Sequence, residues 1–386
     1  MRVALVIDHL DAGRGGGEGY AVGLARGLHA RGHEVHVFAH SWKGDLSGLR
    51  TRSVPMLPYP RGAKVLTFSM AAGAMLSKEH FDVVQGFGAT WRVDVHRPGG
   101  GAERAWLLRE IESHPSGWRR FLAGLRLRVS WKLAANLWIE ASLYGNGRLP
   151  LIVANSGMVA RDLLRWYPAL DPARIRVIPN GVDLDRFHPR NRQLWGMEAR
   201  RELGISKDQV AIGFLAHNFR LKGLGCLFSA LEGPMPRHLL LLVAGRGHSQ
   251  PYLGRARRLG VPVRFLGTVQ RTERFLAAVD LLVHPTFYDP CANVCLEAMA
   301  SGLPVVTTLS NGVSELLQDG VSGYVVPEPW ETSLLRDRIL ALRDKELRDR
   351  MGQAARETVE HLSLDWHIDQ VEALYREASR LRLVDR

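Results

Sequence analysis

Short, almost wholly apolar runs recur along the chain, separated by longer segments whose apolar residues fall three and four positions apart. The runs occupy residues 3–7, 35–39, 83–86 and 151–154, and then 210–215, 239–244, 263–266, 281–284 and 304–307. Runs of this length with helix-like segments between them are the pattern of parallel strands covered by helices on both faces. The alternation predicts an α/β chain with doubly wound sheets. The series pauses over residues 177–189, where Pro179-Asn180-Gly181 is a turn signal, and then starts again. Two Rossmann-like domains are therefore expected, over residues 1–183 and 184–362. The charged, helical segment that ends the chain supplies a last helix over 363–386, expected to pack back on the N-terminal domain. Folds of this kind bind ligands at the carboxyl ends of their strands, here in a cleft between the domains.

Composition narrows the class. A chain of 386 residues is long enough for two cores, and no apolar run is long enough to cross a bilayer. The run after Met1 is too short for a signal peptide and reads as a first strand. Cys226, Cys291 and Cys295 form no paired framework, which suits a reducing cytoplasm, and no second ligand pair accompanies them, so no metal is expected. The net charge of +12 points to an anionic partner without choosing among phosphorylated substrate, anionic lipid and nucleic acid. No aromatic-basic recognition motif supports nucleic acid.

Three segments carry candidate chemistry. The first is the glycine loop 13–19 (Gly-Arg-Gly-Gly-Gly-Glu-Gly), between the first strand and a helix. Glycine lets backbone N–H groups approach a phosphate at a helix amino end, and it also simply makes tight turns. Glu18 falls where the dinucleotide fingerprint needs its third glycine, so an NAD site is disfavoured. The second is His217-Asn218-Phe219-Arg220-Leu221-Lys222-Gly223, directly after the strand at 210–215. Arg220 and Lys222 are placed to hold a diphosphate, or else to decorate a solvated turn. The third runs from Asp289 to Val306. Asp289 and Pro290 read as the N-cap and first residue of a helix, which gives Asp289 a structural role. Glu297 lies in an otherwise apolar helix, where a carboxylate is costly unless paired, and a ribose diol is one such partner.

At these residues a resemblance enters. An acid, seven residues and a second acid, followed by Ala-x-Ala-x-Gly-x-Pro-Val, resembles the retaining glycosyltransferases of family 4, which have the GT-B fold of two Rossmann-like domains facing across a cleft. The Gly-Gly loop, Val153-Ala154-Asn155-Ser156, Val177-Ile178-Pro179-Asn180-Gly181-Val182-Asp183, the Arg/Lys-Gly element and Asn311-Gly312-Val313-Ser314-Glu315 fall in the family's order across nearly the whole chain. Within the family the chain looks most like the lipopolysaccharide core glucosyltransferases. Residues 86–107, with Asp94-Val95-His96-Arg97 and Gly99-Gly100-Gly101, look like that group's acceptor-side segment.

The resemblance implies that Glu297 binds the donor ribose and Asp289 contacts the transferred sugar. It implies that Arg220 and Lys222 hold the diphosphate with backbone amides near Asn293 and Val294, and that Gly16 and Gly17 lie by the diphosphate and acceptor. Asp94, His96 and Arg97 become acceptor-side candidates, although a lone histidine such as His96 is more often structural. Asp289 stands where the family usually has Glu, Asn293 near a usual Gly, and Gly100 and Glu103 where close relatives carry an Asp and a His. The implied reaction moves a hexose, glucose from UDP-glucose in the closest-looking group, to a lipid-linked or phosphorylated saccharide such as lipopolysaccharide core. It proceeds with retention and without metal or cofactor, the donor phosphate taking the acceptor proton and domain closure excluding water. The rival readings are an epimerase or other enzyme on the GT-B fold, and an NAD-dependent oxidoreductase.

One further segment, residues 118–139, reads as a helix with Trp118, Phe121, Leu122, Leu125, Val129 and Leu133 on one face. Arg119, Arg120, Arg126, Arg128 and Lys132 flank that face, and no acid falls between Ser113 and Ile139. A basic helix with aromatic anchors suits an anionic membrane surface, against the alternative of a stripe buried in the protein. The expectation is a cytoplasmic enzyme peripherally attached to the inner face of the cell membrane.

Overall fold

The computed structural model describes residues 1–11, 15–57, 59–145 and 149–384. The chain forms two compact units: unit 1 comprises Met1–Asn180 with Asp365–Arg386, and unit 2 comprises Gly181–Leu364. In unit 1 the order is β1 (Arg2–Val6), β2 (His9–Asp11), α1 (Gly16–Ala30), β3 (Glu34–Ala39), β4 (Ser41–Lys43), β5 (Arg50–Ser53), α2 (Arg61–Leu76), β6 (Val83–Phe87) and β7 (Val95–Arg97). It continues with α3 (Glu103–Glu112), α4 (Trp118–Arg128), α5 (Trp131–Gly145), β8 (Leu151–Ala154), α6 (Gly157–Trp166) and β9 (Ile175–Val177). Seven of these strands form a parallel sheet in the order β5-β3-β1-β6-β7-β8-β9, while β2 pairs with β4. Unit 2 runs α7 (Arg190–Glu202), β10 (Val210–Leu215), α8 (Leu224–Ala230), β11 (Leu239–Ala244), α9 (Gln250–Ala256), β12 (Val263–Gly267), α10 (Thr272–Ala278) and β13 (Leu281–His284). Then come α11 (Asn293–Ala300), β14 (Val305–Thr308), β15 (Gly323–Val326), α12 (Thr332–Ala341) and α13 (Lys345–Val359). Its parallel sheet has the order β12-β11-β10-β13-β14-β15.

Both sheets are built on the apolar runs. Val3, Leu5, Val35, Val37, Val83 and Val153 are buried in unit 1, and Ile212, Phe214, Leu239, Leu241 and Val283 in unit 2. A last helix, α14 (Leu364–Val384), belongs to the core of unit 1. Ile368, Val371, Leu374, Tyr375 and Ala378 are buried there with Leu24 and Leu28 of α1. Tyr375 donates a hydrogen bond to Gln85 of β6, and Arg31 pairs with Asp369.

Each sheet reverses its strand order once, between β1 and β6 and between β10 and β13. The loops leaving the two strands diverge at such a point and open a crevice at the carboxyl ends. Asp8 and residues 87–89 follow β1 and β6; Lys222 and Asp289 follow β10 and β13.

The fold corrects three expectations. Residues 118–139 are two helices, broken at Val129 and Ser130, and Leu133 is 6% exposed and so belongs to the interior rather than to the apolar stripe. The rest of that stripe is not buried in the protein: Trp118 is 68% exposed, Phe121 72%, Leu125 51% and Val129 68%. The helix expected to open at Pro290 begins instead at Asn293, with Ala292 as its cap residue.

Candidate active site

In unit 2, Lys222 and Asp289 meet. The Lys222 Nζ donates to Asp289 Oδ2 at 2.6 Å and to the Tyr288 carbonyl at 2.9 Å. The contact depends on two loops lying almost in touch. The Leu221 carbonyl accepts from Phe287 N at 2.8 Å and Thr286 Oγ1 at 3.2 Å. Gly223 has φ of +80°, and a Cβ there would fall 1.8 Å from the Pro285 carbonyl oxygen. Glycine after Lys222 is thus required by both backbone conformation and space.

Asp289 is not the helix cap that its position suggested. Its carboxylate is largely buried, with Lys222 on one oxygen and the Cys291 N–H at 3.3 Å on the other. Its backbone is tied to the loop after β14, donating to Ser310 O at 2.9 Å and accepting from Gly312 N at 2.8 Å. Burial raises the pKa of this carboxyl, but Lys222 and His284 outweigh burial and hold it well below the usual carboxylate range. His284, the last residue of β13, is itself buried, and its Nε2 lies 3.4 Å from Asp289 Oδ2. Burial lowers the pKa of that imidazole, Asp289 opposes the shift, and Lys222 adds to it. Lys222 is therefore committed to Asp289 rather than standing as a bare cation. Arg220 is half-buried in the same loop, near Tyr252.

The amino end of α11 lies just beyond. Its cap residue, Ala292, contributes no side-chain cap hydrogen bond to the first turn, which opens at Asn293 and Val294. Such an end attracts anionic groups. Asn311, fully buried, accepts from Ala292 N at 3.3 Å and Val313 N at 3.2 Å and donates to Thr307 Oγ1 at 3.0 Å, fixing where the helix starts. Glu297 follows in the second turn. Burial pushes its carboxyl up to about 7, Arg186 opposes the shift and Glu273 adds to it.

Unit 1 has a cavity of about 460 Å³ at its own switch point, lined by Asp8, Lys64, Glu103, Lys132 and Asn136 with Tyr59, Phe68 and Phe87. Two cations and two carboxylates facing one saccharide-sized space can hydrogen-bond a polyol and pair with a charged substituent. Asn136 Nδ2 donates to Glu103 Oε1 at 3.0 Å, and burial raises the pKa of Glu103 against the pull of Lys132. Behind it, Glu140 receives the Tyr167 hydroxyl at 2.7 Å, and burial lifts its pKa to about 7.

The other candidates of unit 1 separate. Gly16 and Gly17 are exposed at the amino end of α1, and a Cβ on Gly17 would meet nothing within 4 Å. Gly13 and Arg14 of the same loop lie outside the described residues. Asp94 precedes β7 and so sits at the amino end of the sheet, accepting from Val84 N at 2.9 Å and pairing with Arg382 at 3.3 Å. That position removes it from the acceptor-side group. His96 is a structural histidine. Its Nε2 donates to Gly88 O at 2.7 Å, which leaves Nδ1 to accept from the Tyr144 hydroxyl at 2.7 Å. Burial lowers its pKa to about 4, so the ring is neutral and fully hydrogen-bonded. Arg97 is also buried, donating to Asn180 Oδ1 at 2.6 Å and lying 3.5 Å over the Tyr20 ring. It has no carboxylate partner among the described residues.

Asp8, Lys64, Asn136 and His284 were not singled out from sequence, Asn311 entered only in a family motif, and Lys132 only in the basic segment 118–139. Asp8, polar and immediately after a buried strand, carried a usable signal. Lys64 lies on a helix in no motif and carried none.

Comparison with known proteins agrees with this architecture. Residues 14–186 match the family described as Glycosyltransferase Family 4, and residues 207–344 match Glycosyl transferases group 1. The lipopolysaccharide glucosyltransferase WaaG of Escherichia coli (strain K12) is 26% identical over 345 residues, covering 86% of this chain and 87% of that protein. A D-inositol 3-phosphate glycosyltransferase of Corynebacterium jeikeium (strain K411) is 32% identical over 247 residues, covering 59% and 57%. The crystal structure of WaaG superposes with a TM-score of 0.82 at 23% identity, covering 97% of this chain and 99% of that one. That of Anabaena HepE in complex with UDP and glucose gives 0.68 at 18% identity, covering 98% and 100%. Ordered motifs, two parallel α/β units and paired family matches together place the chain in glycosyltransferase family 4, as an enzyme of GT-B fold that resembles the lipopolysaccharide core glucosyltransferases.

Proposed function

We propose that the enzyme transfers a hexose, with retention of anomeric configuration, from a nucleotide sugar bound by unit 2 to a lipid-linked or phosphorylated saccharide bound by unit 1. The observation that carries the reading is the buried Asp289–Lys222 pair beside the amino end of α11. Asp289, kept ionised and fixed by Lys222, contacts the transferred sugar. The leaving diphosphate gathers its charge on Arg220 and on the α11 amides near Asn293 and Val294. Lys222 acts on the diphosphate through its neutralisation of Asp289 rather than by direct grip. Glu297 takes the two ribose hydroxyls, whose hydrogen bonds favour its ionised form. Gly16 and Gly17 leave backbone amides at the amino end of α1 open to phosphate oxygens. The leaving phosphate oxygen takes the acceptor proton, so no separate base is required. UDP-glucose is the first donor to test, since HepE structures hold UDP with glucose and UDP-glucose.

The acceptor belongs in the cavity of Asp8, Lys64, Glu103, Lys132 and Asn136. A membrane-linked acceptor accords with the exposed apolar stripe of α4, flanked by Arg119, Arg126 and Arg128. No helix among the described residues is long and apolar enough to cross a membrane, so the proposed attachment is peripheral, to an anionic surface.

The test is a nucleotide-sugar panel read by thermal shift, followed by transfer to a truncated lipopolysaccharide core and assignment of the product anomer by NMR. Stabilisation by UDP-glucose and an α-linked product are expected. Inversion at the anomeric carbon rejects the mechanism, and release of free sugar without acceptor favours an epimerase or hydrolase. Stabilisation by NAD alone favours the oxidoreductase.

A further inference from the structure

Unit 2 has a second cavity, of about 450 Å³, at the other end of its sheet, where β10, β13 and β14 begin. Its apolar floor includes Val210, Leu276 and Leu303. Around it stand five permanent cations, Arg192, Arg200, Lys207, Lys345 and Arg348, against three carboxylates, Asp208, Asp280 and Asp349. Two of those carboxylates are already matched. Asp280 pairs with Arg192 and, at 2.9 Å, with Arg200, and it also accepts from Ala211 N at 2.7 Å. Asp349 pairs with Lys345 at 2.5 Å.

Arg348 is left over. It is half-buried, its Nη1 is spent on the Leu342 and Arg343 carbonyls at 2.8 Å, and among the described residues no carboxylate lies within ion-pair distance of it. Burial disfavours its charge, Asp280 offsets part of that, and Arg192 works against it. Lys207 is exposed on the same cavity. Helix α13 starts at Lys345, its amino end capped by Asp344, whose Oδ1 accepts from Leu347 N at 2.7 Å. A surplus of cations over an apolar floor is the complement of a molecule with an anionic head and an apolar or planar body.

We propose that this cavity is a binding site for a small phosphate-bearing molecule, the phosphate held by Arg348 and Lys207 and the remainder lying on Leu276 and Leu303. The site is distinct from the candidate donor site. Strand β13 separates Asp280 from His284, roughly 13 Å along the chain direction at 3.3 Å per residue, so a ligand here does not displace the nucleotide sugar. The inference does not depend on the donor assignment.

The experiment titrates inorganic phosphate, pyrophosphate and AMP into the full chain at constant ionic strength, with chloride as control, by calorimetry and thermal melting. Three variants accompany the wild type: Lys207→Glu, Arg348→Gln and Glu297→Gln. Saturable binding of at least one probe is expected, weakened at least tenfold in Lys207→Glu and Arg348→Gln and unchanged in Glu297→Gln. Preference for AMP over both inorganic probes identifies a ligand with an organic body; equal binding identifies a free-phosphate site. Lys207 is exposed, so its variant keeps the native melting temperature and the comparison holds even if Arg348→Gln is destabilised. No saturable binding, binding unaltered by Lys207→Glu, or binding lost in Glu297→Gln overturns the proposal.

Discussion

Replacing Lys222 by Met removes the main partner of a carboxylate that unit 2 has taken nearly out of water. The two side chains are only 19% and 14% exposed. Burial alone raises the Asp289 pKa, and in the wild type Lys222 and His284 reverse that effect. Without Lys222, burial dominates, because His284 is buried, neutral and 3.4 Å away. Removing one side of a buried pair costs about 3–5 kcal/mol. Some solvent contact remains here, so the lower end, about 3 kcal/mol, is expected. The sign with pH follows. In the wild type the folded pKa is depressed, so Asp289 contributes stability above its unfolded pKa of about 3.9, and this is lost as pH falls through the depressed folded value. In Lys222→Met the folded pKa rises above the unfolded one, so the penalty is largest at pH 8 and shrinks as acid protonates the carboxyl. Urea unfolding at pH 8 and pH 5, followed by hydrogen exchange of β10 and β13, measures both values. Lys222→Met/Asp289→Asn should recover most of the loss, since no buried charge remains. A double variant as unstable as the single one, or an equal loss at both pH values, would refute the ion-pair reasoning.

Glu297→Gln should abolish donor binding yet make the protein more stable at pH 8 and no different at pH 4, because its raised pKa of about 7 burdens the folded state only where the unfolded carboxyl is ionised; melting curves at the two pH values check this. For the same reason wild-type affinity for UDP-glucose should be about tenfold weaker at pH 6 than at pH 8, read by calorimetry. His96→Ala should cost about 2 kcal/mol by orphaning the Tyr144 hydroxyl and the Gly88 carbonyl, while leaving the pH–rate profile unmoved; a shifted profile would return His96 to the chemistry. Replacing Arg119, Arg120, Arg126 and Arg128 by Gln should weaken binding to anionic vesicles by about a thousandfold, at about 1 kcal/mol per residue. Unchanged sedimentation with the vesicles would reject α4 as the anchor.

Most strands legible from sequence were those buried on both faces, the partly exposed edge strand β12 being an exception. Residues 210–215, 239–244 and 281–284 were read with the bounds they have in the structure. The strands not foreseen are edge, short or polar ones. Arg50–Ser53 is exposed at a sheet edge, Ile175–Val177 has three residues, and Val95–Arg97 carries a histidine and an arginine that looked like chemistry. The same ambiguity governed the site. Asp289 followed by Pro290 is a good local rule for a helix start, but the fully buried Asn311, remote in sequence, holds the start three residues later. Only a tertiary contact could free Asp289 for Lys222. Glu297 was legible because a carboxylate on an apolar helix face breaks a local rule. Lys64 was not, because lysine on a helix breaks none, and Lys132 was read only as part of the basic segment 118–139.

The core of unit 1 is not complete until its last helix arrives. Ile368, Val371 and Tyr375 fill space beside Leu24 and Leu28, so residues 1–180 emerging from a ribosome present an open apolar seam. All of unit 2 is synthesised before that seam can close. Unit 2 holds its whole sheet within one continuous segment and is free to fold during that interval. This architecture predicts an order of maturation opposite to the order of synthesis, with unit 2 free to fold first and unit 1 completed only by its last helix.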